Sequence, residues 1–215
     1  MTSSADSTER PAWRGRMHAA AFFVAIPAGI ALVFVSERTV ARTAASIYAL
    51  SLLVMLGMSA AYHRLARSPA ARRWMQRLDH AGIYVLIAGT YVPMTIVAMP
   101  LVWGIPVLSV IAGAALLGIV VKLTGFRRLQ RTAYILYPAM GWAVVIALPV
   151  LFESLTGIQF ALVVAGGLVY TMGIPVLVFK RPDPWPRVFG YHEVWHTFVV
   201  VAAALHFAAV ASVLA

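Results

Sequence analysis

The chain has 215 residues, of which 62% are hydrophobic, and its mean hydropathy is +0.87. Soluble globular domains are only about 45 to 50% apolar, so this composition excludes a soluble enzyme or binding module and points to a polytopic membrane protein. The formal net charge of +10 would suit a nucleic-acid surface, but the distribution of the charges excludes that partner.

About 20 predominantly apolar residues suffice to span a bilayer as a helix. Seven such segments follow one another, at 17–35, 44–62, 80–99, 101–121, 133–152, 160–179 and 191–213. The expected fold is therefore an all-α seven-helix transmembrane bundle, a single domain over 17–215 behind a short tail at 1–16. The first segment is too long for the 7–15-residue apolar core of a signal peptide and reads as a retained helix. The weakest boundary lies between the third and fourth segments, where Pro100 is the one obvious break. Pro27, Pro93, Pro106, Pro138, Pro149 and Pro175 fall inside spans, where proline kinks are tolerated. Seven spans leave only short loops, so any chemistry belongs to the bundle itself.

Basic residues mark one side of the membrane. Arg10, Arg14 and Arg16 lie in the tail; Arg64, Arg67, Arg72, Arg73 and Arg77 lie between the second and third spans. Lys122, Arg127, Arg128 and Arg131 join the fourth to the fifth, and Lys180, Arg181 and Arg187 the sixth to the seventh. Fifteen of the seventeen basic residues thus sit on alternate connections, the exceptions being Arg38 and Arg42. The positive-inside rule places the N-terminus in the cytoplasm and the C-terminus outside, in a plasma (inner) membrane. Charges divided among four short loops at a lipid boundary suit anionic headgroups, with no nucleic acid. Trp13, Trp74 and Trp185 in the same inner segments read as interfacial anchors, and Glu153 at the opposite side as a solvated acid.

His192-Glu193-Val194-Trp195-His196 opens the last span. Residues at i and i+4 share a helical face, and two imidazoles at membrane depth are costly unless something binds them, so a metal ion is the natural candidate. With no cysteine in the chain, a metal must be held by histidine, carboxylate or water. The topology brings His63, at the end of the inward-running second span, and Asp79, at the start of the outward-running third, to the same depth. Each has a plainer reading: Asp79 as a helix N-cap and His63 as an interfacial ring. Ser59 precedes His63 by one turn, a spacing that also suits a serine bonded back to its own helix. His80 points about 100° away from Asp79 and reads as peripheral or interfacial. His206 lies about 15 Å along the helix from His196, too far to share a metal, and marks a separate polar feature deeper in the bundle. The H-E-x-x-H string also matches the zincin protease pattern, in which the glutamate activates water, but that reading leaves Ser59, His63 and Asp79 unexplained.

Three ordered motifs carry a family likeness. Ser59-Ala60-Ala61-Tyr62-His63, then Leu78-Asp79-His80-Ala81-Gly82-Ile83-Tyr84 running to Thr90-Tyr91-Val92-Pro93, then His192 to His196 followed by Ala204-Leu205-His206-Phe207, resemble the hemolysin III family. That family is a bacterial branch of the progestin and adipoQ receptor superfamily, which includes the adiponectin receptors and is related to alkaline ceramidases. The resemblance implies a zinc ion held by His63, His192 and His196, with Asp79 contacting it through water and Ser59 as the superfamily serine. The short tail departs from the eukaryotic receptors and argues against reception of a protein hormone.

Three imidazoles leave a fourth position on zinc, the catalytic arrangement. Zinc lowers the pKa of water to about 7; Asp79 would serve as base and Ser59 would bond a substrate carbonyl or oxyanion. The expected activity is hydrolysis of a membrane lipid amide or ester, ceramidase-like. The alternatives are a non-enzymatic, zinc-stabilised regulator or sensor of membrane lipid state, an intramembrane metalloprotease, and a pore-forming hemolysin. Seven permanent spans suit the last poorly.

Overall fold

A computed structural model describes residues 11–215; the first ten residues of the tail, with Arg10, lie outside the described residues. Seven helical spans are long and apolar enough to cross a membrane. They are α1 (Arg16–Val35), α2 (Thr39–Leu65), α3 (Pro69–Pro93) continued by a π-turn at Met94–Ala98, α4 (Leu101–Thr124), a fifth broken span, α7 (Gly157–Phe179) and α8 (Tyr191–Leu214). The fifth span runs through α5 (Gln130–Trp142), a 3₁₀ segment (Ala143–Ala147) and α6 (Leu148–Ser154). This is the expected all-α seven-span architecture, and the protein is a multi-pass membrane protein.

α2 and α3 are longer than hydropathy alone indicates, α2 at both of its ends. α2 continues to Leu65, and α3 starts at Pro69 rather than near residue 80. Ser68 caps α3, accepting the Ala71 N–H at 3.1 Å, and Pro69 occupies the first turn, where its missing N–H costs nothing. Hydropathy misses this stretch because Arg72, Arg73, Gln76 and Arg77 are polar, yet none of them opposes a helix. Asp79 therefore lies about three turns inside α3 and is not its N-cap.

Two proline-rich places break the regular ladder. Pro93 lacks the N–H that a continued α3 would use, and the chain shifts into the π-turn before reversing at Met99-Pro100. Between Pro138 and Pro149 the fifth span tightens into its 3₁₀ segment. Pro27, Pro106 and Pro175 are carried within continuous α-helices.

Successive helices from α1 to α4 pack side by side, α7 packs on α8, and α8 returns to touch α1, α2 and α3. The main apolar core accordingly joins Leu52, Met55 and Leu56 of α2 to Leu86 of α3 and to Val199, Ala203 and Val210 of α8. Much of the outer surface stays apolar: Phe34 is 80% exposed, Val102 76% and Ile146 82%, as lipid contact requires. Because α8 is held among α1, α2 and α3, the residues at its start face three other helix ends at once.

Candidate metal centre

Gly190 begins α8, and Glu193 reaches back so that its Oε2 accepts the Gly190 N–H at 2.9 Å. The other carboxylate oxygen lies 2.7 Å from Nε of Arg14, with Glu193 only 1% exposed. Glu193 therefore ties the tail to the start of α8. Both of its oxygens are already engaged, one by the Gly190 N–H and one by Arg14, which counts against a water-activating role of the zincin kind. Arg14, counted above among headgroup-facing charges, instead turns inward to this acid. A buried ion pair of this sort loses heavily if one partner is removed, about 3–5 kcal/mol.

His192 and His196 project from the first two turns of α8 toward His63 near the end of α2. Ring nitrogens of these three residues lie within 4.8 Å of one another; His63 and His196 are buried and His192 half-buried. His63 Nε2 and His192 Nε2 are 3.2 Å apart. Ring centroids are separated by 4.8 Å for His63 and His192, 5.1 Å for His63 and His196, and 4.4 Å for His192 and His196. Two nitrogens each about 2.0–2.1 Å from a tetrahedral zinc would stand about 3.3–3.4 Å apart, so the closest pair is spaced as ligands are. That distance also accommodates one N–H···N hydrogen bond between two rings. A third ring converging on the same point is what a hydrogen bond does not need and a metal does. The chemistry and spacing of the donors thus fit a metal ion, and zinc among those that accept imidazole.

Asp79 of α3 faces Ser59 of α2, whose hydroxyl is placed to interact with the carboxyl group. Ser59 is 2% exposed, on the same helix as His63 and one turn before it. The five residues singled out in the sequence thus come from α2, α3 and α8, with three rings in one group and Ser59 paired with Asp79.

His80 is on another face of α3: its ring packs edge-on to Tyr134, and its carbonyl accepts from the Tyr137 hydroxyl at 2.9 Å. His206 stacks on Tyr170 at 5.7 Å and lies over Gly166 of α7, so it is part of the α7–α8 contact. Trp13, Trp74 and Trp185 are 45%, 57% and 66% exposed, as anchors would be, and Glu153 is exposed.

Sequence reasoning passed over two neighbours of the site. His18, in the first turn of α1, is 3% exposed and stacks on His196 with centroids 3.8 Å apart and planes within 3°. Among the described residues, neither of its ring nitrogens has a hydrogen-bond partner. Gly15 starts α1 with φ +74°, and a Cβ there would stand 2.6 Å from Cβ of His63. Both the left-handed backbone and the absence of a side chain are needed for the tail to cross beneath His63. The signal for His18 was available, since it opens the first span, at the end where the sequence reading already gathered the other histidines.

Residues 7–207 match a protein family described as "Haemolysin-III related". The protein named "Hemolysin-3" of Bacillus cereus is 31% identical over 195 residues, covering 88% of this chain and 85% of its own. "Hemolysin-3 homolog" of Bacillus subtilis (strain 168) is 31% identical over 162 residues, 75% of this chain and 73% of its own. "Adiponectin receptor protein" of Drosophila melanogaster is 26% identical over 83% of this chain and 45% of its own.

Proposed function

This chain belongs to the haemolysin-III-related family, and on that premise we propose that it is a zinc-dependent hydrolase of a membrane lipid amide or ester, acting near the cytoplasmic face of a plasma membrane. The observation that carries the reading is the convergence of His63, His192 and His196 beside a buried Ser59 paired with Asp79. Zinc held by three neutral imidazoles would supply a Lewis acid and make water a nucleophile near neutral pH. The rest of the chemistry falls to the chain. Asp79 would accept the proton of the attacking water and pass it to the leaving amine or alkoxide. Ser59, facing the carboxyl group, would position it, and with substrate bound could turn to the carbonyl oxygen. The apolar helices around the site would take acyl chains and keep bulk water away. The basic ends of the helices support a cytoplasmic location for this side.

The test combines elemental analysis with a substrate screen. Purified protein should carry about one zinc per chain and release fatty acid from some member of a panel of ceramides, acyl amides and lysolipids, whereas Asp79→Asn should keep the metal and lose turnover. Zinc-loaded protein inert toward the whole panel would overturn the enzymatic reading.

One observation favours a second reading, a non-enzymatic zinc-stabilised regulator or sensor of lipid state. The three rings join α2 to α8, so a metal would staple two elements far apart in sequence, with His18 of α1 stacked on one of the ligand rings. On that reading Asp79→Asn would leave the cellular phenotype intact, and only variants that lose metal would abolish it. A pore-forming role gains nothing here, since the histidines would have no part in it; dye release from liposomes unchanged by their removal would revive it.

A further inference from the structure

A second polar cavity, of about 240 Å³, lies between α3, α4 and α5, and none of His63, His192 and His196 lines it. Arg73, Arg77 and His80 line it from α3 at i, i+4 and i+7, a single helical face. Lys122 enters it from the last turn of α4, and Gln130 and Tyr134 close it from α5. We propose that this cavity is a binding site for a phosphate group, that of an anionic phospholipid headgroup entering from the cytoplasmic leaflet.

Three observations carry the assignment. First, Lys122 is only 2% exposed, and among the described residues the one ion pair is that of Arg14 with Glu193, so no carboxylate answers the three cations gathered here. Like charges converging on one cavity repel unless an anion joins them. Second, the cations are held in place with donors to spare. Lys122 Nζ gives one hydrogen bond, to Gln130 Oε1 at 3.2 Å, and sits 3.4 Å from the Tyr134 ring centroid. Arg77 Nη1 donates to Leu123 O at 3.0 Å and its guanidinium lies 5.1 Å from the Trp74 ring. Gly125 ends α4 with φ +71°, and a Cβ there would meet the Arg77 guanidinium at 2.3 Å, so the glycine leaves the space Arg77 occupies. Of five guanidinium donors one is used, and a phosphate can accept several of the rest. Third, exposed aromatic residues adjoin the lining: Trp74, whose ring lies 5.1 Å from the Arg77 guanidinium, and Phe126, which follows Gly125, are 57% and 59% exposed, which suits a headgroup entering with its glycerol and acyl chains outside. A free phosphate would present the same oxygens without using those aromatic residues.

The test is native mass spectrometry of the full-length protein in detergent with added phosphatidic acid, phosphatidylglycerol or phosphatidylcholine, and with inorganic phosphate as competitor. One anionic phospholipid should be retained per chain in preference to phosphatidylcholine. Lys122→Met, which keeps the apolar stem, should weaken retention by about tenfold, and Arg73→Gln, at an exposed position that should not disturb folding, by about fivefold. Arg127→Gln/Arg128→Gln removes two charges from the adjoining segment outside the cavity and should weaken it less than either. Stabilisation by inorganic phosphate alone, lost in the same cavity variants, would uphold phosphate recognition while assigning free phosphate as its source. Equal retention of phosphatidylcholine, or a larger loss in Arg127→Gln/Arg128→Gln than in the cavity variants, would overturn the site.

Discussion

Asp79 and His80 are consecutive residues of α3, yet they belong to two different polar regions. Toward α2 and α8, the helix presents Asp79 to Ser59 beside three converging imidazoles, a set of groups suited to share one cation. Toward α4 and α5, one residue and about 100° further round, it presents His80, Arg77 and Arg73 to Lys122, a set suited to receive an anion. Asp79 and His80 are neighbours along α3, so position along the helix does not decide the chemistry. The helical face does: on the two proposals above, a single span packed on both sides would separate a site for cations from one for anions.

The sharpest way to break that contrast is to remove the cation ligands. His192→Ala/His196→Ala is expected to take bound metal from about one ion per chain to none, read by elemental analysis, while phospholipid retention in the basic cavity stays within twofold. Loss of both together would mean that the two regions are one cooperative unit. Asp79→Asn is the next largest effect: the carboxylate's proton-accepting function goes while its size and its contact with Ser59 are nearly kept. Turnover of a lipid substrate should fall by about 10²- to 10⁴-fold with metal content unchanged. The neighbouring His80→Gln, one position along, should alter turnover less than threefold, and an equal loss in both would erase the distinction between the two faces.

Glu193→Ala tests what holds the cation side in place. Arg14 would be left partly buried and uncompensated, and the bundle should lose about 3–5 kcal/mol, seen as a lowered midpoint of thermal or denaturant unfolding. Arg14→Ala/Glu193→Ala should recover part of that loss, because no lone charge remains. A protease of the zincin kind would give the opposite pattern: abolished proteolysis at unchanged stability.

The seven spans and the pairing of His192 with His196 could be read from the sequence because they rest on hydropathy and on i, i+4 spacing. Less visible was how far helices continue into polar sequence. The start of α3 at Pro69 depends on the Ser68 cap and on arginines that hydropathy discounts, and the extra turns move Asp79 from a helix end into a helix flank. The assignment of Arg14 was hidden for a different reason. Charge counting treats every loop arginine alike, and only packing reveals that one of them turns toward a buried Glu193. Lys122 was likewise one basic residue among four in its connection, distinguished only when α5 folds over it.

His18 gives the smallest expected effect and the finest test of how the cation region is built. Its ring lies flat on His196, and both its nitrogens lack hydrogen-bond partners among the described residues, so what it contributes to packing comes from its face and what it costs comes from its edge. Replacing it with Phe keeps an aromatic face on His196 and removes the two unpartnered polar atoms, whose burial costs on the order of 1–3 kcal/mol. His18→Phe should therefore leave the unfolding midpoint unchanged or slightly raised and weaken metal affinity by no more than about tenfold, the lower range for groups that support a ligand from outside. His18→Ala should lower the midpoint, since the ring contact on His196 is lost and a cavity is left. If His18→Phe instead released the metal as completely as His192→Ala/His196→Ala, the ring nitrogens of His18 would themselves be ligands. The cation site would then draw on α1 as well as on α2 and α8.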